Sequence, residues 1–126
     1  MNMSKFLIDI KNYLVSKGIT ESIYLVSLPD STLPAICLYE YSGEQPDTLV
    51  DIYKPRLQVK VQVARTAYET GRELIAEIES YLQGLSNTQL TNNYIIQSFM
   101  VTGTIPLQMD PEGNMEFLSN FAFQVR

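Results

Sequence analysis

The sequence predicts an α+β fold: one mixed, mainly antiparallel sheet of about five strands with two helices packed on one face. Three observations carry this. Arg56-Leu57-Gln58-Val59-Lys60-Val61-Gln62-Val63 alternates polar and apolar residues without a fault, the period of a half-buried strand. Tyr68, Gly71, Leu74, Ile75, Ile78, Tyr81, Leu82 and Leu85 then recur at three- and four-residue steps, the apolar stripe of a helix. The rest of the chain supplies one more helical pattern and several β-rich runs, giving the order α-β-β-β-α-β-β, and a single layer of two helices buries both helical stripes against one sheet. A strand with one wet face does not belong to a parallel sheet covered on both sides. That face must meet water or another protein. The 126 residues form a single domain, 1–126, long enough for a core of its own.

In chain order, Ser4 is placed to cap a first helix reaching about Lys17. Phe6, Leu7, Ile10, Tyr13 and Leu14 form its stripe, Asp9 and Lys11 lie off it, and Gly18 ends it. Ile23–Val26 is a short β-rich run stopped by the turn residues Leu28-Pro29-Asp30-Ser31. Ala35–Tyr41 is a second, and the short connection predicts a hairpin between the two. Gly43 to Lys54 opens with loop formers and continues with Leu49, Val50, Ile52 and Tyr53, too apolar for a solvated linker. Either this loop folds back on its own core, or it is an arm that docks on a neighbour.

After the central strand, Thr66-Ala67-Tyr68-Glu69 has the form of a capping box, and Gly84 is the helix stop. Ser86 to Asn93 is polar and predicts a loop. Tyr94 to Thr102 places Tyr94, Ile96, Ser98, Met100 and Thr102 on one face and Ile95, Gln97, Phe99 and Val101 on the other. With both faces partly apolar, it predicts a central strand. Gly103 and Pro106 disturb it, and Asp110-Pro111-Glu112-Gly113-Asn114 is a turn. Met115 to Val125 closes the chain, with Met115, Phe117, Phe121, Phe123 and Val125 on one face, interrupted by Ser119. Residues 94–125 therefore read as a long hairpin.

Composition removes several function classes. A net charge of −5, with nine scattered basic residues, argues against a protein held to nucleic acid through phosphates. There is no histidine, hence neither the commonest general base nor the commonest metal ligand. The single cysteine, Cys37, excludes an internal disulfide and a thiolate cluster within one chain; between Ile36 and Leu38 it reads as a buried, inert thiol. No apolar run approaches the roughly 20 residues of a membrane span, and residues 1–5 lack the features of a signal peptide, so a soluble protein made in a cytoplasm is expected, without membrane contact.

Glu40, Glu44, Asp47 and Asp51 are the one acidic group that could do acid–base work or hold a hard cation. Their spacing matches no calcium loop, and a solvated face accounts for them. A serine nucleophile would need a lysine base, and no Ser-x-x-Lys occurs. No catalytic residue, metal site or cofactor is assigned.

The run Tyr53-Lys54-Pro55-Arg56 through Arg65, then Tyr68-Glu69-Thr70-Gly71 and the helix to Gly84, resembles the minor capsid or tail terminator family of phages and prophages. So does the ending, where Pro106 and Leu107 precede the 110–114 turn and Phe117-Leu118-Ser119-Asn120-Phe121. The resemblance spans residues 20–126. It implies a structural virion protein with no catalytic residue, sited at the head-proximal end of the tail and assembled in the bacterial cytoplasm. Its partners would be five further copies in a hexameric ring, the tail-tube protein and a head-completion or connector protein, with DNA passing through the lumen unbound. The alternatives are another head–tail connector or tail-tube subunit, or, in a different class, a small-molecule binder or enzyme using the acidic loop 40–51. In the ring, Arg56, Gln58, Lys60 and Gln62 are expected at a neighbour or the lumen, and Leu49, Val50, Ile52 and Tyr53 on a neighbour. Duplex DNA is densely negative, so a lumen that lets it slide needs an acidic loop; Glu40, Glu44, Asp47 and Asp51, or Asp110 and Glu112, are the candidates.

Overall fold

The computed structural model describes residues 5–26, 33–47, 49, 51–109 and 112–126, with backbone alone at 42–44 and 105–109. The element order is α1 (Phe6–Ser16), β1 (Ser22–Leu25), β2 (Ala35–Asp47), β3 (Ile52–Val63), α2 (Tyr68–Leu82), β4 (Ser86–Gln89), β5 (Tyr94–Met109) and β6 (Met115–Val125). The strands form one sheet in the order β1-β2-β3-β6-β5-β4. All neighbours are antiparallel except β1 and β2. The α+β class and the mixed sheet hold. The strand count rises to six because Ser86–Gln89, polar and expected as loop, pairs with Tyr94–Gln97; four polar residues at a sheet edge carry no alternation to read.

The core lies between the two helices and one face of the sheet. Leu57, Val59, Val61 and Val63 are all buried there, as the alternation requires, and so are Met115, Phe117, Phe121, Phe123 and Val125 on the neighbouring β6. Phe6, Ile10 and Leu14 of α1 and Leu74, Ile75, Ile78 and Leu82 of α2 complete the same cluster. Phe6 meets Phe123 edge-on, with ring centroids 5.2 Å apart, and Tyr68 meets Phe117 at 5.5 Å. α2 comes close to the sheet at Gly71: a Cβ there would lie 2.6 Å from a Phe117 ring carbon and 2.9 Å from a Val63 methyl.

Several expectations change. Ile23–Val26 and Ala35–Tyr41 do not form a hairpin; Ser22–Leu25 runs parallel to Ala35–Leu38. Whether the two strands run in the same or opposite directions is a matter of tertiary pairing that residue propensities do not encode. The turn at 28–31 lies outside the described residues, as does Ser4. The capping box is absent: α2 begins at Tyr68 with Ala67 as its N-cap and no side-chain cap bond. An extra turn, closed by Ala67 N–H to the Ala64 carbonyl at 2.8 Å, carries Thr66 past before the helix starts. Gly18 and Gly84 do stop their helices, at φ +106° and +73°.

Asp9, expected off the buried stripe, is only 2% exposed. Its Oδ2 accepts from the Asn92 backbone N–H at 2.9 Å and the Asn93 side-chain amide at 3.1 Å, and its Oδ1 from the Asn92 amide at 2.8 Å. The carboxylate thereby ties α1 to the β4–β5 turn, and its burial is met by charge-assisted hydrogen bonds.

β5 also departs from strict alternation. A bulge between Ile95 and Gln97 puts Ile95 on the core face together with Ser98, so the two faces read from the sequence exchange at that point. β5 is interior to the sheet, but it lies next to the β4 edge; the two central positions belong to β3 and β6. Gly103 and Pro106 do not end β5, which runs on to Met109 through further register shifts. The expected long hairpin is present, with Met109 level with Met115. Ser119, the polar break in the aromatic stripe, is fully buried, and its hydroxyl donates to Glu79 Oε2 at 2.8 Å; Thr104 Oγ1 donates to the same oxygen at 2.9 Å.

Candidate functional site

Both helices pack on one face of the sheet, and among the described residues no other element covers the opposite face. Residues paired across a sheet share a face. Arg56, Gln58, Lys60 and Gln62 are therefore joined there by Tyr41, Tyr39, Cys37 and Ala35 of β2 and by Ala122, Asn120, Leu118 and Glu116 of β6. The predicted polar set is brought together as one row, half-buried among these neighbours. Gln58 Nε2 donates to Asn120 Oδ1 at 3.2 Å. Lys60 Nζ lies 3.6 Å from Glu116 Oε2 and 5.3 Å from the centre of the Tyr39 ring, an ion pair and a cation–π contact on one ammonium.

Cys37 sits beneath this row. It is buried, though on the open side of the sheet rather than in the core. Burial pushes its thiol pKa up, against smaller opposing effects of the Tyr39 hydroxyl and Lys60. Tyr39 is pushed up to about 12, first by burial and then by its hydrogen bond with Cys37. A thiol held protonated is a poor nucleophile.

Lys54, Arg56, Phe99, Ala122, Phe123 and Gln124 line a shallow depression on the sheet. Phe99 pairs with Ala122 on the open face and is 48% exposed, a contact-prone residue the sequence left unmarked. Glu116 and Asn120 were equally unmarked. Both lie at alternate positions to the aromatic stripe of β6, and that alternation is the signal that could have found them.

Among the described residues, the segment from Gly43 to Lys54 is neither an irregular loop nor packed in the core. β2 and β3 continue through it as a hairpin, with Glu44 level with Lys54 and Asp47 level with Ile52. At its tip Asp47 Oδ1 accepts from the Leu49 N–H at 3.2 Å, and Leu49 is 95% exposed. Ile52 and Tyr53 are half-buried in the stem. Val50 and the Glu44 side chain lie outside the described residues.

The acidic group is spread along this hairpin rather than gathered. Glu40 is paired with Leu57 and so points to the helix side, where desolvation raises its carboxyl pKa; Asp47 and Asp51 flank the tip. Glu112 is exposed at the other hairpin turn, and Asp110 lies outside the described residues. Among the described residues no three acidic or cysteine side chains come together to hold a metal ion, and no helix is long and apolar enough to cross a membrane.

The fold is similar to a chain in a solved structure titled "Virion of native gene transfer agent (GTA) particle", with a TM-score of 0.70 over 94% of this chain and 92% of that one, at 10% sequence identity. At that identity the likeness shows the fold alone. No curated protein matches the sequence. The sequence does match, over residues 7–126, the family described as "Bacteriophage tail terminator protein". With nearly the whole chain covered, this protein belongs to the bacteriophage tail terminator family and is a structural protein of the virion tail.

Proposed function

We propose that six copies of this chain form a ring at the head-proximal end of the tail, where the ring caps the tail tube and joins it to a head-completion or connector protein. Family membership supplies the class of protein. The observation in this chain that carries the ring is Leu49, a leucine 95% exposed at the tip of a paired hairpin. An apolar side chain exposed at the end of a paired stem costs free energy in water and gains it on a partner. Leu49 and Val50 dock on the adjacent copy, with Ile52 and Tyr53 as the base of the arm, while Arg56, Gln58, Lys60 and Gln62 face a neighbour or the passage. Duplex DNA moves through that passage without being held. Supporting this, Asp47 and Asp51 flank the tip of one hairpin and Glu112 lies at the turn of the other, at opposite ends of the sheet, and each copy adds a net charge of −5.

Negative-stain imaging and mass measurement of the purified protein test the ring, and the capping of preformed tail tubes tests the role. Leu49→Ser should leave the monomer folded and abolish the ring. Polymerisation without limit would instead mark a tube subunit, and a protein that stays monomeric with tubes present would refute the proposal. Mobility shift with duplex DNA should show no complex at about 0.15 M salt, where charges act over only around 8 Å; tight, salt-sensitive binding would overturn the unbound passage.

A further inference from the structure

The two edge strands of the sheet are short and sit at opposite ends of it. β1, four residues long, covers only Ala35–Leu38 of the thirteen-residue β2. From Tyr39 to Asp47 the outer edge of β2 has no strand beside it among the described residues. β4, also four residues, covers only Tyr94–Gln97 of the sixteen-residue β5. Ser98 is bonded to Gly84 and Leu85, and from Phe99 to Met109 the outer edge of β5 has no strand beside it among the described residues.

The registers fix the levels of these four stretches. Asp47 is level with Ile52, and Tyr53 with Val125, which is level with Ile95. The vacant part of β2 is therefore level with β4. Ala35 is level with Gln62, Gln62 with Glu116, and Glu116 with Gln108, so the vacant part of β5 is level with β1. Among the described residues each edge thus has a projection at one end and a recess at the other, and the projection on either edge matches the recess on the opposite one.

We infer that neighbouring copies join edge to edge through these steps, with β4 of one copy lying along residues 39–47 of the next, and β1 of that next copy lying along residues 99–109 of the first. One displacement satisfies both contacts. Five strand positions along the sheet bring β1 beside β5 and β2 beside β4 together, and the two four-residue strands then fill a single column end to end. The strand directions make the β4–β2 contact parallel and the β1–β5 contact antiparallel. The inference deepens the ring reading above and rests on it. The contact is head-to-tail, the class that closes into rings, and closure sets a strand beside part of each open edge.

A further observation agrees. Exposed apolar side chains border the steps: Tyr41 on the vacant part of β2, Phe99 and Val101 on that of β5, and Val26 at the end of β1. Pro46 and Pro106 each remove one backbone donor from the vacant stretches, so the joint is not a continuous ladder.

Paired cysteines test the joint in the otherwise unchanged chain, whose own Cys37 is buried. Gln45→Cys with Thr88→Cys probes the parallel contact, and Val26→Cys with Thr102→Cys the antiparallel one. Under mild oxidation each double variant should give a ladder of covalent multimers on a non-reducing gel. Each single variant should give none, and mixing the two singles of a pair should give dimers only. Rings seen by negative stain with no cross-link at either pair would overturn the edge joint and leave the ring standing. Absence of any assembly would remove both, and cross-linking of single variants would reveal a two-fold contact and overturn the head-to-tail arrangement.

Discussion

Gly71 is where opposing effects of similar size meet. Replacing it with alanine improves the intrinsic helix propensity of α2 by about 1 kcal/mol. The same Cβ would lie 2.6 and 3.0 Å from two Phe117 ring carbons and 2.9 Å from Val63 Cγ2, and distances below 3.0 Å require something to move. Neither neighbour can move easily. Phe117 is fully buried and braced edge-on by Tyr68, and Val63 is a core residue of β3. α2 must lift from the sheet, and overpacking of this kind costs about 1–3 kcal/mol even when the core partly relaxes. With the short contacts made to two braced groups, the upper part of that range applies. The net expectation for Gly71→Ala is a loss of about 1–2 kcal/mol after the propensity gain, a fall in Tm of roughly 4–8 °C for a domain this size. Urea and thermal unfolding followed by circular dichroism would measure it. Ala76→Gly, at an exposed site on the same helix, isolates the propensity effect and should cost about 1 kcal/mol. A Gly71→Ala protein as stable as the parent, or more stable, would show that the helix does not press on β6 at this point and would refute the packing argument.

Asp9→Ala removes the acceptor of three hydrogen bonds, one of them from the buried Asn93 amide; a loss of about 2–4 kcal/mol in urea unfolding is expected, with Asp9→Asn milder. Lys60→Glu places a second carboxylate beside Glu116 where an ion pair stood. It should cost about 1 kcal/mol in the monomer and weaken assembly by size-exclusion chromatography; unchanged assembly would count against an interface or lumen role for the row. Cys37 should resist iodoacetamide at pH 8 in the folded protein and react once denatured, since burial both shields the thiol and raises its pKa. The same sign holds for Tyr39. With its folded pKa raised to about 12 above an unfolded value near 10, its contribution to stability is complete below about pH 10 and is lost as pH rises towards 12.

What the sequence made legible is what local period determines. The β3 alternation, both helical stripes and the aromatic face of β6 all follow from side-chain direction along a single element; the strand faces are buried as read, and so are the helical stripes apart from the exposed Tyr68 and the half-buried Leu7, Tyr13, Tyr81 and Leu85. Contacts between elements were not legible. The parallel pairing of β1 with β2 depends on the path of the intervening chain. Asp9 looked solvated because its partners, Asn92 and Asn93, lie more than eighty residues away. The phase change in β5 came from a bulge, which one inserted residue produces without altering composition. At the candidate site, the polar row on β3 was visible as half of a face. Its partners Tyr39, Glu116 and Asn120 belong to strands whose register only the fold supplies, and the apparent cluster of acids separated because a strand pulled Glu40 away from the hairpin tip.

The placement of β6 between β3 and β5 bears on how the molecule is made. β6 is translated after every other strand of the sheet. Until Met115–Val125 has left the ribosome, the sheet exists only as two unconnected pieces, β1-β2-β3 and β5-β4, and the core face of each lacks the phenylalanines that fill it. Such a nascent chain presents two long inner edges to solvent, the condition under which strands pair with the wrong chain. Joining the pieces also closes contacts over long stretches of sequence, which slows folding relative to a helical protein of equal length. A chain that stops before β6 therefore carries two separate pieces of sheet and lacks the strand that joins them.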